Sequence, residues 1–392
     1  MRRLSLVTAG ESHGPKLTVV LTGLPAGMRL DLDLVNSDLA RRQHGYGRGG
    51  RMKIEKDEIL LTGGIRGGET LGGPISLEIQ NKDFAVWEPV MSPVKTEPEA
   101  AKKRSLTSPR PGHADLAGGL KFARRDLRDI LERASARESA ARVAAGALCR
   151  NLLAQLGIQI KSGVLSIGTV SCPVPPSGYS FASLESVEES SPLRLLDRSV
   201  EEQAIRRIDE AFKAGDTLGG TMLVGARGVP PGLGSHTAWD EKLDGRIAQA
   251  MLSIPSVKAM SLGDGIENAF RFGSQAHDAI AFDARHGFTR ETNRAGGLEG
   301  GITNGEDILV TLYQKPISTL RNGLPSVDIE TKETVRAQYE RSDVTAVPAC
   351  GVIGEAMLAL VLADALLAKT GGDSMDEVRR NLDGFLTAQR AY

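Results

Sequence analysis

The sequence predicts a mixed α/β protein built as a single large domain from two related halves, roughly residues 1–160 and 161–392. Three observations predict it. Short β-branched runs alternate with segments whose apolar residues recur at three- and four-residue spacing, the patterns of strands and of helices with one buried face. A turn of the form Gly-apolar-Pro-x-Gly occurs twice, at Gly23-Leu24-Pro25-Ala26-Gly27 and at Gly228-Val229-Pro230-Pro231-Gly232. A second echo, Gly-x-Thr-x-Gly-x-x-Ile, occupies 68–75 and again 301–308, in the same order. Chance matches in a Gly-rich chain are the alternative to duplication; two in one order favour duplication.

Each element follows from local pattern. A strand is expected at Leu17-Thr18-Val19-Val20-Leu21, stopped by the Gly23 turn, and another at Thr221-Met222-Leu223-Val224, stopped by the Gly228 turn. Strand-like runs follow the second echo at 76–79 and 309–312. Helices are expected at 31–43, where Leu32, Val35 and Leu39 share a face, and at 240–254, through Leu243, Ile247, Ala250 and Met251. Each half then closes on a long helix of small residues, 136–156 and 353–368. The polar, acid-leaning stretch 173–210 reads as a solvated excursion with one helix at 199–214.

Composition removes several classes of function. With 41% apolar residues the chain can bury a sizeable core, and 392 residues is two to three domains' worth or one large unit at about 150 per domain. Lys plus Arg (48) balances Asp plus Glu (49), so no global charge draws it to nucleic acid or anionic membrane. Aromatics at 4% argue against a platform for stacked bases. Three cysteines without metal spacing exclude a disulfide framework and a Cys-based zinc site, and fit a reducing compartment. The start MRRLSLVTAGESHG lacks an apolar signal region, and the longest apolar run, 356–363, is too short to span a bilayer. A soluble cytoplasmic protein, without membrane or nucleic-acid partner, is expected.

The chemistry should lie with the basic clusters. RRQHGYGRGGRMK holds Arg41, Arg42, Arg48, Arg51 and Lys53 with no acid, among glycines 45, 47, 49 and 50. Glycine lets backbone N–H groups approach a ligand, and arginine grips carboxylate or phosphate through paired hydrogen bonds. An anion clamp, a solvated loop and a lone RGG-like nucleic-acid segment all remain readings of it. A second cluster holds Arg110-Pro111-Gly112-His113-Ala114-Asp115 and Glu132-Arg133-Ala134-Ser135-Ala136-Arg137-Glu138. Arg133 and Arg137, four apart, would share a helix face, and Ser135 with the backbone ahead of the Ala-rich helix would form an anion site; surface pairing with Asp129, Glu132 and Glu138 is the alternative. Of six histidines, His13 and His113 sit in Gly/Pro-dense loops beside arginines, where a protonated imidazole can serve as an acid, although a lone loop histidine is ordinarily structural. Glu340-Arg341-Ser342-Asp343 precedes the last long helix and reads first as a structural ion pair; Lys315-Pro316-Ile317-Ser318-Thr319 follows a strand and offers a weak phosphate or flavin contact. Dinucleotide, P-loop, zinc-protease and nucleophile-elbow signatures are missing. The residues by themselves lead to an α/β enzyme that binds a polyanionic small molecule.

These same segments resemble the chorismate synthase family. The matching pieces are Gly10-Glu11-Ser12-His13-Gly14, the Arg41 to Arg51 loop, Arg110-Pro111-Gly112-His113-Ala114-Asp115, Ser135-Ala136-Arg137-Glu138, Gly263-Asp264-Gly265, Gly296-Gly297-Leu298-Glu299-Gly300-Gly301, Lys315-Pro316 and Arg341-Ser342-Asp343. They run in order along nearly the whole chain. The resemblance implies a β-α-β-α sandwich of two similar halves, usually a homotetramer. It implies a 1,4-anti elimination of phosphate from 5-enolpyruvylshikimate 3-phosphate to give chorismate, with reduced FMN required and no net redox change. By the same resemblance, Arg42, Arg48, Arg51, Ser135, Arg137 and Arg341 meet the substrate, and Arg42 and Arg48 are the positions associated with NADPH as reductant. FMN falls to Arg133, Ala134, Ser135, Pro255, Ser256, Gly300, Lys315, Pro316, Ile317, Ser318, Thr319 and Arg341. The chain departs from the commonest pattern at Ala134, at Pro255-Ser256 and at Ile317, so the resemblance does not carry over the side-chain hydrogen bonds to FMN there and leaves backbone contacts open. His13 would be the acid toward the leaving phosphate, His113 would stand beside flavin N1, and Asp343 would relay a proton from flavin N5. No metal is implied. The competing classes are a conventional FMN oxidoreductase and a nucleic-acid binder using the Arg41 loop.

Overall fold

The computed structural model describes residues 3–49, 56–284, 287–340 and 343–392. In chain order the N-terminal part contributes β1 (Ser5–Ala9), β2 (Lys16–Thr22), α1 (Leu32–Gln43), β3 (Ile59–Gly63), the hairpin β4 (Ile65–Arg66) and β5 (Glu69–Thr70), and β6 (Ile75–Gln80). Five helices follow: α2 (Phe84–Met91), α3 (Pro98–Arg104), α4 (Asp115–Phe122), α5 (Arg128–Ala134) and α6 (Ser139–Ala154). Then come β7 (Gln159–Ile167), β8 (Val170–Ser171), α7 (Phe181–Glu185), α8 (Glu201–Ala214), β9 (Gly220–Arg227), α9 (Leu243–Leu252) and β10 (Val257–Leu262). The chain ends with α10 (Gly273–Ala276), hairpins β11 (Ile280–Asp283)/β12 (Gly287–Arg290) and β13 (Leu298–Glu299)/β14 (Ile302–Thr303), β15 (Ile308–Gln314), β16 (Pro325–Val327)/β17 (Thr334–Arg336), α11 (Val347–Thr370) and α12 (Met375–Arg390).

Alternation along the strands decides which way each sheet faces. On β2, Leu17, Val19 and Leu21 are buried; on β6, Ile75, Leu77 and Ile79 are. Their neighbours turn outward, so the first sheet, β1-β2-β6-β3, covers the core with one face. The second, β10-β15-β9-β7-β8, is antiparallel like the first. Setting the edge strand β8 aside, both sheets order their strands first, second, fourth, third. Helices α1, α6 and α11 pack between them, with α9 against α11, while α7 covers the far side of the second sheet through Phe181 and Leu184 on Leu165 and Leu223. The layers run sheet, helices, sheet, helix.

The two sequence echoes are built alike. Thr70 donates its hydroxyl to the Pro25 carbonyl (2.6 Å) and accepts from the Met28 N–H (2.9 Å). Thr303 does the same with Pro230 (2.7 Å) and Leu233 (2.8 Å). Hairpin β4/β5 pairs Ile65 with Thr70, and β13/β14 pairs Leu298 with Thr303. Only glycine fits the start of either turn: a Cβ on Gly23 would lie 2.0 Å from the Arg3 carbonyl oxygen, and one on Gly228 2.4 Å from that of Gly157.

Helix limits follow their caps. The Asp31 carboxylate accepts from the Leu34 N–H at 3.0 Å and starts α1. Helix α11 begins at Val347, six residues ahead of expectation, because Pro348 lies in its first turn, where the ring suits the helix and the missing N–H costs nothing. The expectation that no segment is long and apolar enough for a bilayer is corrected here. This helix is, by length and composition, but 94% of its most apolar 18-residue window is buried, and it forms the centre of the fold. The apolar run counted from sequence stops at Glu355 and Asp364, whereas the helix carries both as paired, buried acids. Stretch 173–210 also differs from expectation: Phe181, Leu184, Leu193 and Leu195 are buried. At the middle of the helical layer Gly146 of α6 meets Ala356 of α11 so closely that a Cβ on Gly146 would lie 2.4 Å from the Ala356 Cβ.

A buried ion cluster joins the layers. Glu355 of α11 accepts Arg41 Nη1 and Nη2 at 2.7 Å each and the Ser162 hydroxyl at 2.6 Å, with Arg150 at 3.3 Å and Arg194 at 3.5 Å. Burial alone would raise its pKa, but Arg41 and Arg150 outweigh that and hold it below the usual carboxylate range.

Candidate active site

A cavity of about 770 Å³ is lined by both parts of the chain. One wall is arginine. Helix α1 places Arg42 in its last turn, and the turn between α5 and α6 supplies Arg137. Both converge on buried Asp57: Arg42 Nη2 lies 3.0 Å from Oδ2, and Arg137 Nη1 lies 2.6 and 2.8 Å from the two oxygens. Arg137 Nε also donates to Asn81 Oδ1 at 2.9 Å. Burial would raise the Asp57 pKa, yet the two guanidinium groups hold it down. Burial pulls Arg42 down to about 10, with the like charges of Arg137 and Arg48 adding and Asp57 opposing. Arg42 Nε, also buried, finds no hydrogen-bond partner among the described residues, a donor left over in the cavity wall. Arg48 Nε lies 3.1 Å from Asp343 Oδ2, and the Gly49 N–H donates to Asp343 Oδ1 at 2.6 Å.

Two imidazoles complete the site. His13 Nδ1 is 3.0 Å from both oxygens of Glu132, and the His13 backbone N–H donates to Oε2 at 2.8 Å. The ring stacks on Trp87 with centroids 4.0 Å apart. Glu132 is held below the usual carboxylate range; burial pushes upward, and His13 and Arg128 outweigh it. His113 Nδ1 is 2.5 Å from Asp115 Oδ1. Asp115 in turn accepts Arg110 Nε (2.8 Å) and Nη2 (3.0 Å), while Arg110 Nη1 donates to the Thr319 hydroxyl (2.8 Å). Lys315 Nζ donates to the Gly112 carbonyl at 2.6 Å, so the 110–115 turn and the 315–319 loop hold each other. Ser135 Oγ accepts the Arg137 N–H at 3.3 Å and donates to the Ser12 hydroxyl at 3.2 Å.

Of the residues singled out from sequence, His13, Arg42, Arg48, His113, Ala134, Ser135, Arg137, Pro255, Ser256, Lys315, Ile317, Ser318, Thr319 and Asp343 line this cavity. Arg133, Gly300 and Pro316 do not, and Arg51 and Arg341 lie outside the described residues. Arg133 and Arg137 do not share a helix face as expected. Helix α5 ends at Ala134 and Ser135 turns extended, so Arg133 goes to the carbonyls of Thr8 and Gly10 while Arg137 goes to Asp57. Gly300 sits at the tip of the β13/β14 hairpin. Arg41, one residue from Arg42, faces the Glu355 cluster instead. Sequence reasoning missed Asp57 and Trp87 and the site roles of Arg110, Asp115 and Glu132. Arg110 and Asp115 stood inside one motif and Glu132 was read as a surface pair, but nothing local marks Asp57, a lone acid after the glycine loop.

Buried arginines on one wall and two carboxylate-backed imidazoles on the others define an α/β enzyme that encloses a polyanionic small molecule and can exchange protons with it. Comparison with known proteins is specific. The family model for chorismate synthase matches residues 4–367. The chain is 50% identical to the chorismate synthase of Aquifex aeolicus over 398 residues, covering all of both chains. It is 51% identical to that of Carboxydothermus hydrogenoformans, over 98% of this chain and 99% of the relative. A crystal structure of chorismate synthase superposes with a TM-score of 0.81 at 41% identity, covering all of both chains. The chain belongs to the chorismate synthase family. Its activity is the 1,4-anti elimination of phosphate from 5-enolpyruvylshikimate 3-phosphate to chorismate, a carbon–oxygen lyase step of the shikimate pathway and of aromatic amino acid biosynthesis. The family uses reduced FMN.

Proposed function

We propose that the 770 Å³ cavity is where this elimination occurs, with His13 as the acid toward the departing phosphate. The observation that carries the reading is convergence: His13, His113, Asp343, Arg42, Arg48, Ser135 and Arg137, far apart in sequence, line one space. The substrate's two carboxylates and phosphate bring about four negative charges near neutral pH. Arg42, Arg48 and Arg137, with the Ser135 hydroxyl, offset that charge as the substrate leaves water. Arg51 and Arg341 join this set on resemblance alone. Phosphate leaves more readily when protonated, which is the work of His13. His113 holds a proton beside the cofactor, and Asp343 accepts one as the C6 hydrogen departs.

The residues present fit FMN. Lys315, Ser318, Thr319 and Arg110 group a cation, hydroxyls and a guanidinium suited to its phosphate, and Leu131, Ala134, Ala346, Ala349 and Ile353 give an apolar surface for a flat ring. Gln314 Oε1, buried in the same wall, has no partner among the described residues and would accept from a ring N–H. When bound, the reduced cofactor supplies transient electron density as the C–O bond breaks. Anaerobic turnover tests the reading: many chorismates per reduced FMN are expected, and a conventional oxidoreductase would consume one reductant per product. His13→Ala should lower turnover ~10²–10⁴-fold with little loss of substrate affinity. Wild-type turnover in that variant removes His13 from the mechanism.

NADPH as direct reductant would meet Arg42 and Arg48. Its oxidation by the FMN-loaded enzyme without added reductase supports this, and no oxidation removes it. Duplication from an ancestral half, near 1–160 and 161–392, is supported by the matching strand orders and by the paired bonds of Thr70 and Thr303. A homotetramer is supported by Phe270, Phe272, Ile280, Phe282 and Phe288, large apolar side chains more than half exposed around hairpin β11/β12. Cytoplasmic residence is supported by three free, buried cysteines.

A further inference from the structure

Two acids to which the family resemblance assigns no role repeat one arrangement. Glu132 and Asp115 have side chains with 0% exposure. Each receives an imidazole Nδ1, and each is bonded from behind by an arginine, Arg128 to Glu132 at 3.1 Å and Arg110 to Asp115 at 2.8 Å. We propose that Glu132 and Asp115 are positioning residues that keep the Nδ1 proton of His13 and His113 committed to a carboxylate, so that proton exchange with bound ligands runs through Nε2.

The argument for His13 is geometric. Its Nδ1 stands at equal distance from two carboxylate oxygens, 3.0 Å each. An ionised carboxylate only accepts, so Nδ1 must carry hydrogen in both the neutral and the charged ring. The neutral ring is then confined to the Nδ1–H tautomer, and the cation has Nε2–H as its transferable proton. Glu132 also holds the His13 backbone N–H at 2.8 Å, and its own carbonyl accepts from the Ser12 N–H at 3.0 Å, so it sets main chain and ring together. Trp87 limits the remaining rotation by stacking. The charges around this ring come from Glu132 and Arg128 of α5, from Arg104 of α3 over Trp87, from Asp83 and Arg137 in the cavity wall, and from Glu340, bonded to Arg128 at 2.7 Å. Arg128 keeps Glu132 ionised and hence an acceptor. At His113 the carboxylate of Asp115 lies 2.5 Å from Nδ1 and Arg110 Nη2 3.0 Å from it; that guanidinium nitrogen also donates to Asp115, and the shorter contact to an acceptor places the hydrogen on Nδ1.

The catalytic consequence rests on reading His13 as the acid; the tautomer does not. Six histidines make imidazole ¹⁵N spectra of the histidine-labelled full chain tractable. In the wild-type protein the His13 and His113 signals should show protonated Nδ1, assigned by loss of each signal in His13→Asn and His113→Asn. A neutral Nε2–H ring at His13 overturns the proposal, whether or not any acid variant folds. In Glu132→Gln the His13 signal should move toward Nε2–H and turnover should fall by up to ~10⁴-fold, the size seen when a triad's orienting acid is neutralised, with KM changed far less. Glu132→Asp, which restores an acceptor, should recover part of the turnover. An unmoved His13 signal with turnover within about threefold of wild type overturns the positioning role. A moved signal with undiminished turnover upholds the positioning role and removes His13 as the acid. Asp115→Asn should move the His113 signal and leave that of His13 unchanged.

Discussion

Replacing Gly146 by alanine should force the two central helices apart. The new methyl carbon would lie 2.4 Å from the Ala356 Cβ, 2.5 Å from its Cα and 2.6 Å from its carbonyl oxygen. Carbon atoms rest comfortably at about 3.5–4.0 Å, so the shortfall exceeds ~1 Å, and a methyl group has no other rotamer to adopt. Two of the three opposing atoms are backbone, which cannot swing away. Alanine's better helix propensity returns ~0.8–1.0 kcal/mol, while overpacking costs ~1–3 kcal/mol and occasionally more. Contact against backbone puts this site at the upper end, for a net loss of ~1–2 kcal/mol. Denaturant unfolding should show a lower midpoint with an unchanged slope. The first turns of α11 supply Ala349, Cys350 and Ile353 to the cavity and the start of α6 supplies Ser139, so affinity for FMN and for substrate should weaken in parallel. Ala356→Gly added to Gly146→Ala should recover part of the loss, since it removes the nearest of the three atoms. A midpoint that rises in Gly146→Ala would refute the close approach of the helices.

Other outcomes follow from the site. Arg137→Ala should weaken substrate binding by ~2–5 kcal/mol in a titration, and an unchanged affinity would take Arg137 out of the anion wall. Asp343→Asn should slow turnover with FMN and substrate still bound; a collapsed melting temperature would instead mark Asp343 as a structural tie for Arg48 and Gly49. Asp57, Asp115 and Glu132 all have folded pKa values depressed below their unfolded ones, against the upward push of burial, by arginine or histidine partners. Their contribution is full above the unfolded values of about 4 and is lost as pH falls through the depressed folded values. Unfolding midpoints should therefore drop progressively below about pH 4, and a midpoint constant from pH 6 to pH 3 would contradict the pairing.

Much of the frame was legible because it rests on local physics. Alternation marks β2, and the spacing of Val35 and Leu39 marks α1, although Leu32, expected on the same face, is exposed. Where the local rule and tertiary packing disagree, the sequence misleads. The small-residue run starts α11 at 353, but the helix begins at Val347, because Pro348 suits its first turn. Four-residue spacing joins Arg133 to Arg137 until the break at Ser135 separates them. The cationic and imidazole side of the site was visible, since arginines and histidines clustered among glycines are unusual. Its acidic side was not: Asp57, Asp115 and Glu132 look like surface charges in the sequence, and only the fold buries them against their partners.

The Glu355 cluster bears on how this chain can be divided. Its arginines come from α1, from α6 and from the turn before α8, and the acid that neutralises them most deeply comes from the last long helix. A fragment ending near residue 160 would retain Arg41 and Arg150 with Asp38, the buried acid both also meet, but would lack Glu355, leaving two cations to one acid, a defect of ~3–5 kcal/mol. Removing the C-terminal fragment therefore does more than expose an apolar helix face. Fragment complementation should succeed only when both pieces are refolded together, and chimaeras between relatives should tolerate a crossover near residue 160 only when arginines and acid remain matched across it. The point at which an ancestral duplication would invite a cut is the point at which the present molecule is electrostatically indivisible.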